Sequence, residues 1–273
     1  MDFENIVLKS RDKIATITLN SPKNFNAVTE ELMMDLGNVL DLCADDDSVR
    51  VIIIRGEGRV FSSGVDVRSL KKGLDERDNH KLTRMVRVNG NVARKLRAIR
   101  KPVIASLHGA VAATACGIAL LCDFRVASDD ALFIEVFLNM GLIPDMGYTF
   151  SLGRYVGFGR LTELIMLNKL LTADKAFELG LVNIVTTKEN LQNETMKLAK
   201  KLAALPSDAV ALTKTLINQT IFSGLDQCLD REIKYQDLLS RSENYAEGVD
   251  AFLEKRPAVF NKQDAQVPTI SVV

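Results

Sequence analysis

The chain predicts an α/β fold, on three observations. Strand and helix signals alternate through the first two thirds, only helical signals follow residue 188, and an uncharged run at 102–122 offers a strand and a helix to the interior. Residues 4–9 and 14–20 read as two strands around the turn SRDK. Residues 29–44 then place Leu32, Leu36, Leu40 and Cys43 at helical spacing; Thr29 stands at the start, and Glu30 and Glu31 lie where the helix dipole favours acids. A short β-branched strand at 51–54 leads into the small-residue segment FSSGVDV and a polar helical stretch over about 75–99. Further strands are expected at 103–107, 124–127, 131–136 and 181–185. Helices follow at 189–204, 208–222, 225–240 and 245–254, punctuated by Pro206 and Pro257. The expected organisation is an α/β core over residues 1–187 and a helical region over 188–273, packed on its own core or on a neighbouring subunit.

Composition narrows the function classes. A chain of 273 residues buries about three quarters of its unfolded surface. Its 35 basic and 35 acidic side chains cancel, so no global field attracts nucleic acid and an anionic ligand must be held by local charge. The basic run 93–101, ARKLRAIRK, reads as a solvated face or a phosphate contact. Four scattered cysteines without a CxxC pair, and two histidines, argue against a disulfide scaffold or a zinc site. The charged N-terminal residues offer no apolar signal region, making a cytoplasmic location the default expectation. The run 102–122 is diluted by Pro102, Ser106, His108, Gly109, Thr114 and Gly117, which favours a buried strand and helix over a membrane span.

Three segments are candidates for chemistry. Between Val136 and Gly153 the only charged side chain is Asp145, in GLIPDMGYTF. A carboxyl in apolar surroundings has a raised pKa and exchanges protons near neutrality, whereas the same residue after Pro144 also suits a helix cap. In FSSGVDV, Ser62, Ser63 and Gly64 let the backbone approach a ligand closely, as an oxyanion donor or simply as a strand-to-helix turn. In HGAVAATACGIALLCD, small residues open a helix whose free N–H groups favour a negative oxygen, or which merely packs closely through its alanines. His108 reads as a hydrogen-bonded core residue, since no nucleophile motif accompanies it.

Taken in order, FSSGVDV, KPVIASLHGAVAATACGIALLCDFRVAS, FLNMGLIPDMG and LTADKAFELGLVNIV resemble the enoyl-CoA hydratase/isomerase (crotonase) family. SPKNFNAV near the start and NYAEGVDAFLEKRPAVF near the end extend the resemblance over nearly the whole chain. It implies a crotonase-like spiral of ββα turns with a C-terminal helical trimerisation region, assembled as a homotrimer or a dimer of trimers. It also implies an acyl-CoA thioester substrate, with coenzyme A as part of the substrate and no metal or redox cofactor. By position, the backbone donors of the oxyanion hole would be Val65 and Thr114. Coenzyme A contacts would come from Lys23, Asn24 and Phe25, from Ser63, Val65 and Asp66, and from Phe252 and Lys255.

Two departures bear on the reaction. Where hydratases of the family carry two glutamates, this chain has Gly117 and Phe137, whereas Asp145 resembles the acid of the isomerase branch, which includes double-bond isomerases and phenylacetate-pathway ring-epoxide isomerases. Water addition needs a carboxylate pair, but one carboxylate suffices to move a proton between two carbons. The expected activity is conversion of a 3-enoyl-CoA to a 2-enoyl-CoA; enoyl-CoA hydration, ring-epoxide isomerisation, thioester hydrolysis and non-catalytic acyl-CoA binding are the alternatives. The oxyanion segment, Ala113, Thr114 and Ala115, lacks the family's glycine, and Glu135, a possible substitute acid, reads as a surface or subunit-contact residue.

Overall fold

The computed structural model describes residues 3–262. Among them nine strands are formed: β1 (Ile6–Arg11), β2 (Ile14–Leu19), β3 (Val51–Gly56), β4 (Val103–Leu107), β5 (Ala110–Ala112), β6 (Phe124–Ser128), β7 (Leu132–Ile134), β8 (Leu171–Thr172) and β9 (Ile184–Thr186). Six of them build the main sheet in the order β1-β2-β3-β4-β6-β9, and β5, β7 and β8 build a second, smaller sheet. Apart from the antiparallel β1–β2 hairpin, the main sheet is parallel. The hairpin closes over Asp12 and Lys13, both with left-handed backbones (φ 52° and 66°), which is the twist that suits a two-residue turn. β1 thus runs two residues further into the turn than the SRDK reading allows, while β2 starts at Ile14 as expected.

Helix α1 (Glu30–Asp45) begins as its sequence predicts, with Thr29 Oγ1 accepting the Leu32 N–H at 3.1 Å. The polar helix expected at about 75–99 is α3 (Lys81–Ala98), and a separate helix, α2 (Val67–Asp75), ends where the expected one begins. Between them Arg77 adopts φ 55° and the Asp78 N–H returns to the Gly73 carbonyl, ending α2. The small-residue helix is α4 (Thr114–Leu121). A long helix unseen in the sequence, α5 (Tyr148–Met166), follows Gly147 and kinks at Gly157. After α6 (Ala173–Glu178) come α7 (Leu191–Ala203), α8 (Ser207–Ile221), α9 (Leu225–Leu239) and α10 (Glu243–Glu254).

The main sheet is covered on both faces, which is why VIII at 51–54 is an unbroken apolar run. Ile52 and Ile54 face α1, α3 and α4 in the larger core, while Ile53 and Ile104 face Leu191 and Ala199 of α7. A third apolar cluster joins Val67 and Leu70 of α2, Leu82, Met85 and Val86 of α3, Met140, and Tyr245 and Val249 of α10. Among the described residues no helix is long and apolar enough to cross a membrane, and the 102–122 run is β4, β5 and α4 of the interior.

Candidate active site

Asp145 lies in the loop between Met140 and α5, and only 5% of it is exposed. Its carboxylate is gripped by two side chains from different helices. Asn89 Nδ2, midway along α3, donates to Oδ2 at 2.8 Å, and Thr114 Oγ1, the first residue of α4, donates to Oδ1 at 3.0 Å. The cap of α5 is Gly147, so Asp145 does not cap that helix. Burial pushes the Asp145 carboxyl up to about 6, and the Asn89 and Thr114 bonds oppose the rise by favouring the charged form. An acid of that strength can take up and return a proton near neutrality.

Thr114 links this acid to the expected oxyanion hole. The turn before it places Ala113 at φ 48°, ψ −119°, a conformation that a residue with a Cβ rarely adopts, and Ala113 N–H is pinned to the Ile134 carbonyl at 2.9 Å. The resemblance put the missing glycine at this segment; the structure puts the strain on Ala113 and leaves Thr114 as an ordinary first helical residue. The neighbouring loop passes so close that a Cβ on Gly64 (φ 79°) would stand 2.7 Å from the Ala112 carbonyl oxygen. Val65 follows directly, held by the Val28 N–H to Gly64 carbonyl bond (2.7 Å) and the Asp66 N–H to Val28 carbonyl bond (3.0 Å). Among the described residues neither the Val65 nor the Thr114 N–H has an acceptor.

The site is not a lone acid. Glu135, expected at the surface, is only 4% exposed: it follows the last residue of β7 and turns into the interior beside Cys116 and Tyr148. Burial pushes it up to about 8, opposed by bonds to Tyr148 and Cys116 and reinforced by the Asp145 charge, and its Oε1 has no hydrogen-bond partner. Glu232 of α9 is buried too; burial raises it to about 8, the Gly147 bond opposes this and the Asp145 charge adds to it. Sequence reasoning missed Asn89 and Glu232, which sit on unremarkable amphipathic helices 56 residues before Asp145 and 85 after Gly147. The two glutamate positions of hydratases are closed. A Cβ at Gly117 would stand 2.6 Å from Met146 Cβ, and Phe137 is buried.

The remaining expected contacts divide. Lys23 and Asn24 lie in a short 3-10 turn followed by Phe25 (φ 53°), whose carbonyl accepts the Ser63 N–H at 3.0 Å, so this segment and the Ser63–Val65–Asp66 loop are neighbours. Buried Asn26 fixes the pair, donating through Nδ2 to the carbonyls of Glu57, Val60 and Phe61, while its carbonyl accepts from Ser62 Oγ. Asp66 caps α2 through its side chain, accepting the Arg68 N–H at 3.1 Å. Phe252 and Lys255 stand exposed at the end of α10, with no hydrogen bond joining them to those loops among the described residues. The basic run 93–101 is not a solvated face: Arg97 is buried against Asp123 (3.0 Å) and Asn218, and Lys101 Nζ donates to the Cys43 and Asp46 carbonyls. His108 is buried with Nε2 3.1 Å from the Gly58 carbonyl oxygen, as a core residue should be. It lines a cavity of about 220 Å³ beneath α7 that contains none of the candidate site residues.

Comparison with known proteins shows the same fold elsewhere. The sequence profile of the enoyl-CoA hydratase/isomerase family matches residues 9–263. The chain belongs to that family. It is 34% identical over 260 residues to the trans-2-decenoyl-[acyl-carrier-protein] isomerase of Streptococcus mutans, covering 95% of this chain and 99% of the relative. It is also 32% identical over 263 residues to the crotonyl-CoA hydratase of Syntrophomonas wolfei, with 95% and 99% covered. An enoyl-CoA hydratase from Mycobacterium avium subsp. paratuberculosis superposes with a TM-score of 0.86 at 30% identity, over 95% of this chain and 99% of that one. Family membership therefore supports the acyl-thioester class of chemistry, and similar proteins include both isomerases and hydratases.

Proposed function

We propose that the protein is an enoyl-thioester double-bond isomerase that converts 3-enoyl to 2-enoyl thioesters. The thioester oxygen is held by the Val65 and Thr114 N–H groups, which stabilise the negative charge that develops there. Ionised Asp145 removes a proton from C2; the electron pair delocalises into the thioester and the adjoining double bond, and the carboxylic acid so formed returns the proton at C4. The observation that carries this reading is the Thr114 bond to Asp145: one residue supplies a side-chain donor to the acid and a free main-chain donor at the start of α4. Lys23, Asn24, Phe25, Ser63, Val65 and Asp66 are proposed to hold the coenzyme A portion, and Phe252 and Lys255 that of a neighbouring subunit. The proposed assembly is a homotrimer or a dimer of trimers, in keeping with the exposed apolar side chains of α8.

Hydration is the second reading, favoured by Glu135, a buried carboxyl near Asp145 that could supply the missing second acid. Parallel assays decide. Purified protein is given 3-enoyl and 2-enoyl thioesters, each on coenzyme A and on acyl carrier protein, and both double-bond migration and 3-hydroxyacyl product are followed. Migration well above hydration supports isomerisation on the carrier that reacts; hydration without migration supports the second reading.

A further inference from the structure

Helix α9 grips the loop of Asp145 from both sides. Gln236 Nε2 donates to the Ile143 carbonyl at 2.7 Å, and Glu232 Oε2 accepts the Gly147 N–H at 3.1 Å. These side chains lie four residues apart, one turn of a single helix face, and both are buried. Between the two gripped peptides the backbone is irregular: Met146 and Gly147 are consecutive left-handed residues, with φ 59° and 64°. Leu225, at the start of α9, presses on the same loop; its Cδ1 lies 2.7 Å from where a Cβ on Gly147 would stand.

The same helix braces the other support of the acid. Arg94 of α3 pairs with Asp226 (2.9 Å) and Asp230 (2.8 Å), and Thr83 Oγ1 donates to Asp237 (2.9 Å). Asn89, which donates to Asp145, sits on α3 between those anchors. Burying Glu232 and Gln236 is unfavourable unless their polar atoms are used, and each spends one of them on the loop backbone.

We propose that Glu232 and Gln236 are positioning residues, a two-point clamp through which the C-terminal helical region holds Asp145 against its substrate. The clamp rests on the reading of Asp145 as the proton-transfer group, and it makes α9 part of the reaction machinery. A carboxylate displaced by about 1 Å can lose about 100-fold in rate. Glu232→Ala, Glu232→Gln and Gln236→Ala are compared by kcat, KM and hydrogen exchange of the segment spanning residues 143–148. Glu232→Ala and Gln236→Ala are expected to lower kcat about 10- to 100-fold with KM nearly unchanged. Exchange in 143–148 rises in both, and Glu232→Gln, whose amide oxygen still accepts the Gly147 N–H, recovers most of both losses. If Glu232→Ala does not fold, Gln236→Ala carries the same test. Unchanged exchange and kcat in the alanine variants overturns the clamp, as does a Glu232→Gln variant no better than Glu232→Ala. Because exchange does not depend on turnover, a protein that fails to isomerise any thioester sinks the proposed activity and leaves the clamp to be judged on exchange alone.

Discussion

Three buried carboxyls of unequal strength meet around one loop, with Asp145 near 6 and Glu135 and Glu232 near 8. At pH 7 the first is mostly ionised and the other two mostly neutral, a separation that leaves a single base among acids. Turnover is therefore expected to climb as pH rises through about 6, measured as the acid limb of kcat. Stability runs the other way. Burial raises Glu135 from 4.5 to about 8, so its unfolded form ionises first; its contribution is whole below pH 4.5 and is lost as pH rises toward 8. Glu135→Gln is expected to stabilise the protein relative to the parent by an amount that grows across this window, on the order of a few kcal/mol by pH 8, read from urea unfolding at several pH values. A difference independent of pH would show that Glu135 is not held neutral. Asp145 was legible in the sequence because no other charge occurs near it. Its partners were not, since Asn89 and Glu232 are ordinary polar positions until tertiary packing brings three distant helices together, and Glu135 gave no local sign of which way it faced.

The element that decides the site geometry is the turn into α4. Ala113 is held at φ 48°, where a Cβ costs on the order of 1–3 kcal/mol. Ala113→Gly removes that strain at a smaller cost in unfolded-state entropy, for an expected net gain of about 1 kcal/mol. This corresponds to a rise of about 2–4 °C in Tm by calorimetry. No change, or a loss, would mean the turn is unstrained. Elements with strong local signals were read well: the Thr29 cap, the buried run of β3, and α7 to α10 with their proline boundaries. The break between α2 and α3 was missed because it depends on a left-handed Arg77 rather than on a proline or glycine. Helix α5 was missed because its apolar residues surround it instead of forming one stripe, and β5 and β8 are too short to show any period.

For the whole molecule, the sheet is sealed on both faces while the last helices are not. Leu212, Leu216, Ile217 and Ile221 of α8 stand between 44% and 61% exposed, a cluster of apolar side chains on one helix of the kind that marks a protein–protein contact. The parent protein is expected to sediment as a trimer or hexamer, and Leu212→Asp combined with Leu216→Asp to shift it toward monomer in analytical ultracentrifugation. A monomeric parent would contradict the proposed assembly. That the tail is helical was plain from its periodicity; that α9 turns back onto the Asp145 loop while α8 leaves an apolar face outward was not, because the sequence carries no record of which amphipathic face meets which neighbour.

The most direct test compares the parent with Asp145→Asn on a 3-enoyl thioester, with binding of a saturated acyl thioester measured alongside. Double-bond migration is expected to fall by about 100- to 10,000-fold in the variant while thioester affinity stays near that of the parent. Parental turnover by Asp145→Asn would contradict the assignment of proton transfer to Asp145.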